Sequence, residues 1–337
     1  MEIQSKKRQI QNEDTVKKSN HLKQQNGELN DEEFQTLIRL AKKVLWSDRE
    51  TKRQIESQGI HVIPARFYSE IPTVEEVENS FEYRDTKKGP FHSPQVFNQE
   101  NIINFLEEIQ TYAEEFNPPL SGNIENPNSF FWKNPAFSFS DAMAYYCIVR
   151  HFKPKQILEV GSGYSTLVAN EALKKNGYGK IVIIEPYPKQ FLYQLDTVET
   201  IITKFVQDIP VSEFVELLGE GDIFFIDSTH TVKNGSDCLY LYLKIMPEIN
   251  NNVLVHTHDV RLPFPYNQKD LIEKNITWTE QYLLYAYLLD NPKVEVVFSS
   301  MFLHKFFPKQ AEMFMRGKYK EGGASIWYKL NGSQQVK

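Results

Sequence analysis

Residues 156–166 read Gln-Ile-Leu-Glu-Val-Gly-Ser-Gly-Tyr-Ser-Thr, and this stretch constrains the chain more than any other. A short apolar run, Gln156 to Val160, is closed by a Gly-x-Gly turn at Gly161 and Gly163. A helical pattern follows, with Leu167, Val168, Ala172 and Leu173 on one face. Strand, glycine turn and helix form the opening of a nucleotide-binding βαβ unit. Glycine lets the backbone turn sharply and lets a ligand approach the peptide plane. The start of the helix then offers free N–H groups to polar or anionic ligand atoms.

A dinucleotide fingerprint would read G-x-G-x-x-G, but Thr166 holds the sixth position. An acidic residue, Glu159, stands two places before the first glycine. A second, Glu185, ends the apolar run Ile181-Val-Ile-Ile184, 22 residues after Gly163, where a ribose-binding carboxylate is expected. Glu159, the glycine turn and Glu185 together resemble motif I and its sequel in the class I S-adenosylmethionine-dependent methyltransferases, of the bacterial small-molecule and glycan type.

After residue 156 strands and helices alternate. Strands are expected at 156–160, 181–185, 203–206, 222–227, 253–257, 294–298 and 324–329. Helices are expected around 188–199, 211–218, 234–246 and 278–289, with a loop at 260–276. Near-continuous apolar strands joined by helices imply a parallel sheet covered on both faces. The closing pair fits an antiparallel end strand. The resemblance implies an α/β, Rossmann-like, seven-stranded methyltransferase sheet with helices on both faces, over residues 140–330. Before it, residues 31–139 read as an N-terminal helical and extended accessory region. It has helices from Asp31 to Trp46, capped by Asn30 or Asp31, and from Asn98 to Phe116. A third helix over 141–151 has Ser140 as its N-cap. Residues 1–30 lack apolar periodicity and read as a flexible polar segment. The loop at 117–139 carries Phe130, Phe131, Trp132, Phe137 and Phe139. These aromatics either pack over the sheet edge, the favoured reading, or line a substrate pocket.

Composition narrows the partners. Of the 337 residues, 41% are hydrophobic and 24% charged, enough apolar material for a sizeable core, and the net charge of −6 gives no basic surface for nucleic acid. No apolar run reaches the length of a membrane span. Cys147 and Cys238 sit in separate helical patterns, so neither a disulfide framework nor a cysteine-bound zinc is expected. No apolar run follows the N-terminal Met-Glu-Ile-Gln-Ser-Lys-Lys-Arg, so a cytoplasmic setting is expected. The oligomeric state stays open.

In an open α/β sheet, ligands bind at the carboxyl ends of the strands. Five strand ends here carry polar groups: Glu159, Glu185, Asp208, Asp227 and the pair His258-Asp259. The resemblance implies a cofactor site drawn from Glu159, Gly161, Ser162, Gly163, Tyr164, Ser165, Thr166, Glu185, Pro186, Asp208 and Asp227. In it Glu185 accepts from the ribose, Asp208 stands beside the adenine, and Ser165 and Thr166 reach the methionine carboxylate. The methyl group then points at Asp227-Ser-Thr-His230 and at His258-Asp259. Transfer to a hydroxyl requires removal of the acceptor proton, and histidine titrates in the right range. His230, His258 and Asp259 are therefore the candidate catalytic residues, while His61, His92, His256 and His304 are read as structural. Lys233 and Asp237 read as a solvated helix face. Arg261 stands just beyond and could hold an anionic substrate, or be an ordinary loop arginine.

A divalent metal is a variant of this reading. In catechol-type methyltransferases, carboxylates at the ends of strands 4 and 5 bind magnesium, and Asp227 and Asp259 match those ends. His258 before Asp259 and Val260 after it depart from that pattern, so proton removal by histidine alone is favoured. The acceptor is expected to be a small molecule or a sugar. The competing readings are a nicotinamide-dependent oxidoreductase, which Thr166 disfavours, and a non-catalytic cofactor-binding module.

Overall fold

In the computed structural model of the chain, residues 28–85, 87–122 and 128–332 are described. Most of the expected flexible segment, residues 1–30, lies outside them. The chain divides into two compact units between Glu76 and Val77, so the expected boundary at 139/140 falls inside the second unit.

In the first unit, the helix Asp31–Leu45 starts at a capping box. The Asn30 side chain accepts from the Glu33 N–H, and the Glu33 carboxylate accepts from the Asn30 N–H. The helix Arg49–Glu56 follows, with Asp48 capping it through the Thr51 N–H.

The second unit is built on a seven-stranded sheet. In chain order the strands are β1 (Gln156–Val160), β2 (Lys180–Ile184), β3 (Val198–Ile202), β4 (Ile223–Ile226), β5 (Val253–Thr257), β6 (Val294–Ser299) and β7 (Ile326–Leu330). Their order across the sheet is β3-β2-β1-β4-β5-β7-β6. The first five are parallel, whereas β7 runs antiparallel to both β5 and β6. Every residue of β4 and β5 is buried, as a parallel sheet covered on both faces demands. The crossover from β1 reverses between β1 and β4, which opens a crevice at their carboxyl ends.

Several expectations need correcting. No helix spans 188–199 and no strand spans 203–206: a single 3₁₀ segment, Gln190–Gln194, leads into β3. The run Thr197-Val-Glu-Thr-Ile-Ile-Thr is rich in β-branched residues, whose stiff side chains favour a pleated strand. As the edge strand it stays half-exposed, so it lacks the apolar look of its neighbours. The third helix is Phe139–Phe152, and the residue before it is Ser138, not Ser140. Ser140 is buried in the first turn, where its hydroxyl accepts from the Gly322 N–H. A helix, Gln268–Lys274, occupies part of the expected 260–276 loop. Two more, Ser300–Phe306 and Pro308–Met315, connect β6 to β7.

Most of the aromatic loop packs into the core, Phe137 against Phe225 of β4. Phe130, Trp132 and Phe137 are buried, while Phe139 remains 39% exposed. Among the described residues, no helix is long and apolar enough to cross a membrane.

Candidate active site

The turn after β1 is held from below. Glu159 is wholly buried, and its two oxygens accept hydrogen bonds from Tyr145 (2.9 Å) and Thr166 (2.6 Å). Thr166 in turn accepts from the Gly163 N–H. Burial is the dominant influence on the Glu159 carboxyl and outweighs these bonds, pushing it up to about 7. Glu159 and Thr166 thus brace the loop from inside rather than face the crevice. Gly161 lies in the left-handed region at φ 84°, and its N–H donates to Ile184. A Cβ added there would stand 2.0 Å from the Asp227 carbonyl oxygen, so only glycine fits between the ends of β1 and β4.

The crevice side of this turn carries uncommitted groups. The Ser162 and Tyr187 hydroxyls are buried without hydrogen-bond partners among the described residues. Glu185 accepts from the Tyr187 N–H at 2.8 Å, and the Ser162 backbone also stabilises its carboxylate. Burial raises the Glu185 carboxyl despite that bond. Pro186 is partly buried beside it. The Lys189 ammonium lies 5.0 Å from the centre of the Tyr164 ring. Ser165 is buried in the first turn of the following helix, Tyr164–Asn176, while Asp208 is exposed at the end of a short 3₁₀ turn.

The second cluster joins the ends of β4 and β5. His230 Nε2 lies 3.3 Å from Asp227 Oδ1 and 3.5 Å from Asp259 Oδ2. Its Nδ1 lies 2.8 Å from Glu280 Oε2. A carboxylate accepts, so Nδ1 carries the proton and Nε2 presents its lone pair to the two aspartates whenever the ring is neutral. Burial disfavours charge on His230, but the bonds to Asp227 and Glu280 outweigh it and raise the imidazole well above its usual range. Burial likewise acts against the Asp227 carboxylate, yet His230 and the charge of His258 hold it below the usual range. Asp227 Oδ, His230 N and Asp259 Oδ lie within 4.8 Å of one another, a spacing that fits a shared metal ion.

Local strain marks the same residues. His230 (φ 59°) and Asp259 (φ 54°) both occupy the left-handed region, which costs a non-glycine residue on the order of 1–3 kcal/mol. Supporting bonds hold them there. The His230 carbonyl accepts from the Thr279 and Glu280 N–H groups, and Asp237 accepts from both the N–H and the hydroxyl of Thr229. Asp237, read as a solvated residue, therefore anchors the loop that carries His230. Lys233 is exposed, as expected.

His258 Nδ1 lies 3.3 Å from Ser325 Oγ, and its Nε2 lies 3.8 Å from Asp259. Burial opposes charge on it, but Asp259, Asp227 and Asp141 raise it overall. His256 is a core residue stacked on Phe225 at 4.0 Å, and burial holds it well below the usual range.

Sequence reasoning missed Glu280. It is fully buried, and it accepts from Ser228 (3.2 Å) and Tyr242 (3.1 Å) besides His230. An acid in the first turn of the helix Glu280–Leu288 reads as an ordinary dipole partner. Nothing local links it to a histidine 50 residues earlier. A π-helical turn, Leu241–Ile245, carries the Tyr242 that meets it.

Comparison with known proteins adds the following. Residues 158–260 match the family described as a methyltransferase domain. An uncharacterized protein of Archaeoglobus fulgidus is 30% identical over 198 residues, which is 56% of this chain and 87% of that protein. Two solved structures are similar at low level. The O-methyltransferase TomG of Streptomyces achromogenes, in complex with SAM, is 13% identical, with 68% of this chain and 90% of that one covered and a TM-score of 0.32. The O-methyltransferase of Bacillus cereus, in complex with SAH, is 14% identical, with 68% and 91% covered and a TM-score of 0.33. Likenesses at that level do not bear on this chain's activity.

Proposed function

We propose that the chain is a class I S-adenosylmethionine-dependent methyltransferase, a reading supported by the methyltransferase-domain match over residues 158–260, and that it methylates a hydroxyl of a small molecule or sugar. That match and Thr166 in the sixth position both weigh against the nicotinamide-dependent reading. The turn at 161–164 offers what the cofactor needs: a backbone that approaches closely at Gly161, the unpaired Ser162 hydroxyl, and the Glu185 carboxylate at the end of β2. When bound, S-adenosylmethionine supplies an electrophilic methyl on a sulfonium. In the transfer a C–O bond forms as the C–S bond breaks, the sulfur keeps the electron pair, and the hydroxyl loses its proton.

The observation that carries the proposal is the convergence of Asp227, His230 and Asp259 at the end of the crevice. Two arrangements could deprotonate an acceptor there. Histidine alone was favoured from the sequence. The geometry favours a divalent cation held by these three residues, because both His230 nitrogens already face carboxylates and three carboxylates around one imidazole leave surplus negative charge. Glu280 suits an outer position, fixing the ring and its tautomer. Mixed nitrogen and oxygen donors suit manganese, iron or zinc as well as magnesium. A bound cation would orient and acidify the hydroxyl. His258, beside Asp259, remains the candidate proton acceptor in either arrangement.

The test is formation of S-adenosylhomocysteine over a panel of hydroxylated acceptors, with and without EDTA, alongside calorimetric titration of manganese and magnesium. Loss of rate in EDTA, restored by metal, supports the cation. A rate indifferent to EDTA returns the role to histidine alone. No affinity for S-adenosylmethionine would sink the proposal.

A further inference from the structure

We infer that the acceptor carries an anionic group, a carboxylate or a phosphate, which seats on Arg261 in a cleft beside Asp259. This rests on the hydroxyl-methylation reading above. The cleft has a volume of about 360 Å³, within the roughly 300–1,000 Å³ typical of small-molecule sites. Asp259 and His258 form one wall, so the cleft adjoins the cluster at the ends of β4 and β5.

Its charges are unevenly committed. The acidic groups of the wall are taken. Asp141 is buried and accepts from the Ser300 hydroxyl and from the Ala324 N–H at 2.9 Å, and Asp259 faces His230 and His258. The cations are not taken. Neither Arg261 nor Lys305 has a carboxylate within ion-pair distance among the described residues. Arg261 Nε is buried with no hydrogen-bond partner among the described residues. A buried donor left unmatched is costly, and such groups in folded proteins call for an explanation. A chain of net charge −6 thus presents an uncompensated arginine next to its reactive cluster. Arginine's planar fork matches carboxylate and phosphate oxygens in pairs.

Apolar groups in the same lining suit the body of such a molecule. Phe139 is 39% exposed and held at φ 57°, a conformation a bulky residue rarely adopts, and Met301 is also part of the lining. A ring resting on these apolar groups could direct a hydroxyl to Asp259 and an anion to Arg261.

The test uses the full chain. S-adenosylmethionine is titrated first, and the loaded protein is then titrated with matched pairs: protocatechuate against its neutral amide, and glucose phosphate against glucose. The charged member of at least one pair should bind about 10- to 100-fold more tightly, the size of a charge-assisted hydrogen-bonded pair. The pair that shows the difference tells carboxylate from phosphate. Arg261→Gln should abolish the difference and Arg261→Lys should keep part of it, both with S-adenosylmethionine affinity unchanged. Lys305→Ala, on the exposed rim, should reduce it about threefold, and it decides the matter if Arg261→Gln does not fold. Equal binding of charged and neutral members, no binding by either charged member, or a preference that survives Arg261→Gln would overturn the inference while leaving the cofactor reading intact. Failure to bind S-adenosylmethionine would overturn both.

Discussion

The turn after β1 and the cluster at the ends of β4 and β5 are built in opposite ways. The turn is contiguous: Glu159, Gly161, Gly163 and Thr166 lie within eight residues, and Thr166 ties Glu159 to Gly163. The cluster is assembled from three distant segments, Asp227 with His230, Asp259, and Glu280. A contiguous site follows from local backbone geometry. A distributed one exists only when the sheet order and the helix Glu280–Leu288 are right. Substitutions should therefore act differently in the two regions, on cofactor affinity and loop stability in the first and on turnover in the second.

The largest expected effect is in the cluster. His230→Ala should lower turnover by about 10²–10⁴-fold, with S-adenosylmethionine affinity little changed. Equal losses in both would erase the division between the regions. Next is a pH effect in the turn. The Glu159 carboxyl is raised from 4.5 to about 7 in the folded chain, so the folded state binds more protons than the unfolded state between those values. Its contribution is complete below about 4.5 and is lost as pH rises through about 7. The slope amounts to on the order of 3 kcal/mol over that window. Glu159→Gln should flatten it, and denaturant titrations at several pH values read this directly. An unchanged slope would show that the brace beneath the loop stays ionised.

Glu185→Ala should weaken S-adenosylmethionine binding by about 1–3 kcal/mol and leave the melting temperature nearly unchanged. Undiminished affinity in calorimetry would place the ribose elsewhere. The smallest effect sharpens the comparison most. Glu280→Gln keeps the shape of the side chain but loses a carboxylate, and it should cost about 10- to 100-fold in metal affinity or turnover, the usual toll of an outer-shell partner. If cofactor affinity fell instead, Glu280 would belong with the turn.

Much of the turn after β1 and the sheet around it was legible in the amino-acid order alone. The apolar run to Val160, the glycine pair and the acid at 185 are local signals, and β1, β2, β4 and β5 lie within a residue of their expected places. β3 was misplaced because an edge strand is half-exposed and lacks a continuous apolar run.

The sequence by itself determined an α/β sheet, the glycine turn and the acids that end its strands, because each depends on neighbours a few residues away. It also drew attention to His230, His258 and Asp259 as types of residue suited to the chemistry. Only the tertiary structure decided that Glu159 and Thr166 point inward, that His230 is gripped by Asp227, Asp259 and Glu280, and that Arg261 Nε lacks a hydrogen-bond partner among the described residues beside an open cleft. These facts depend on which strand ends become neighbours and which side chains lose water. Both are set by packing between residues that are far apart in the chain.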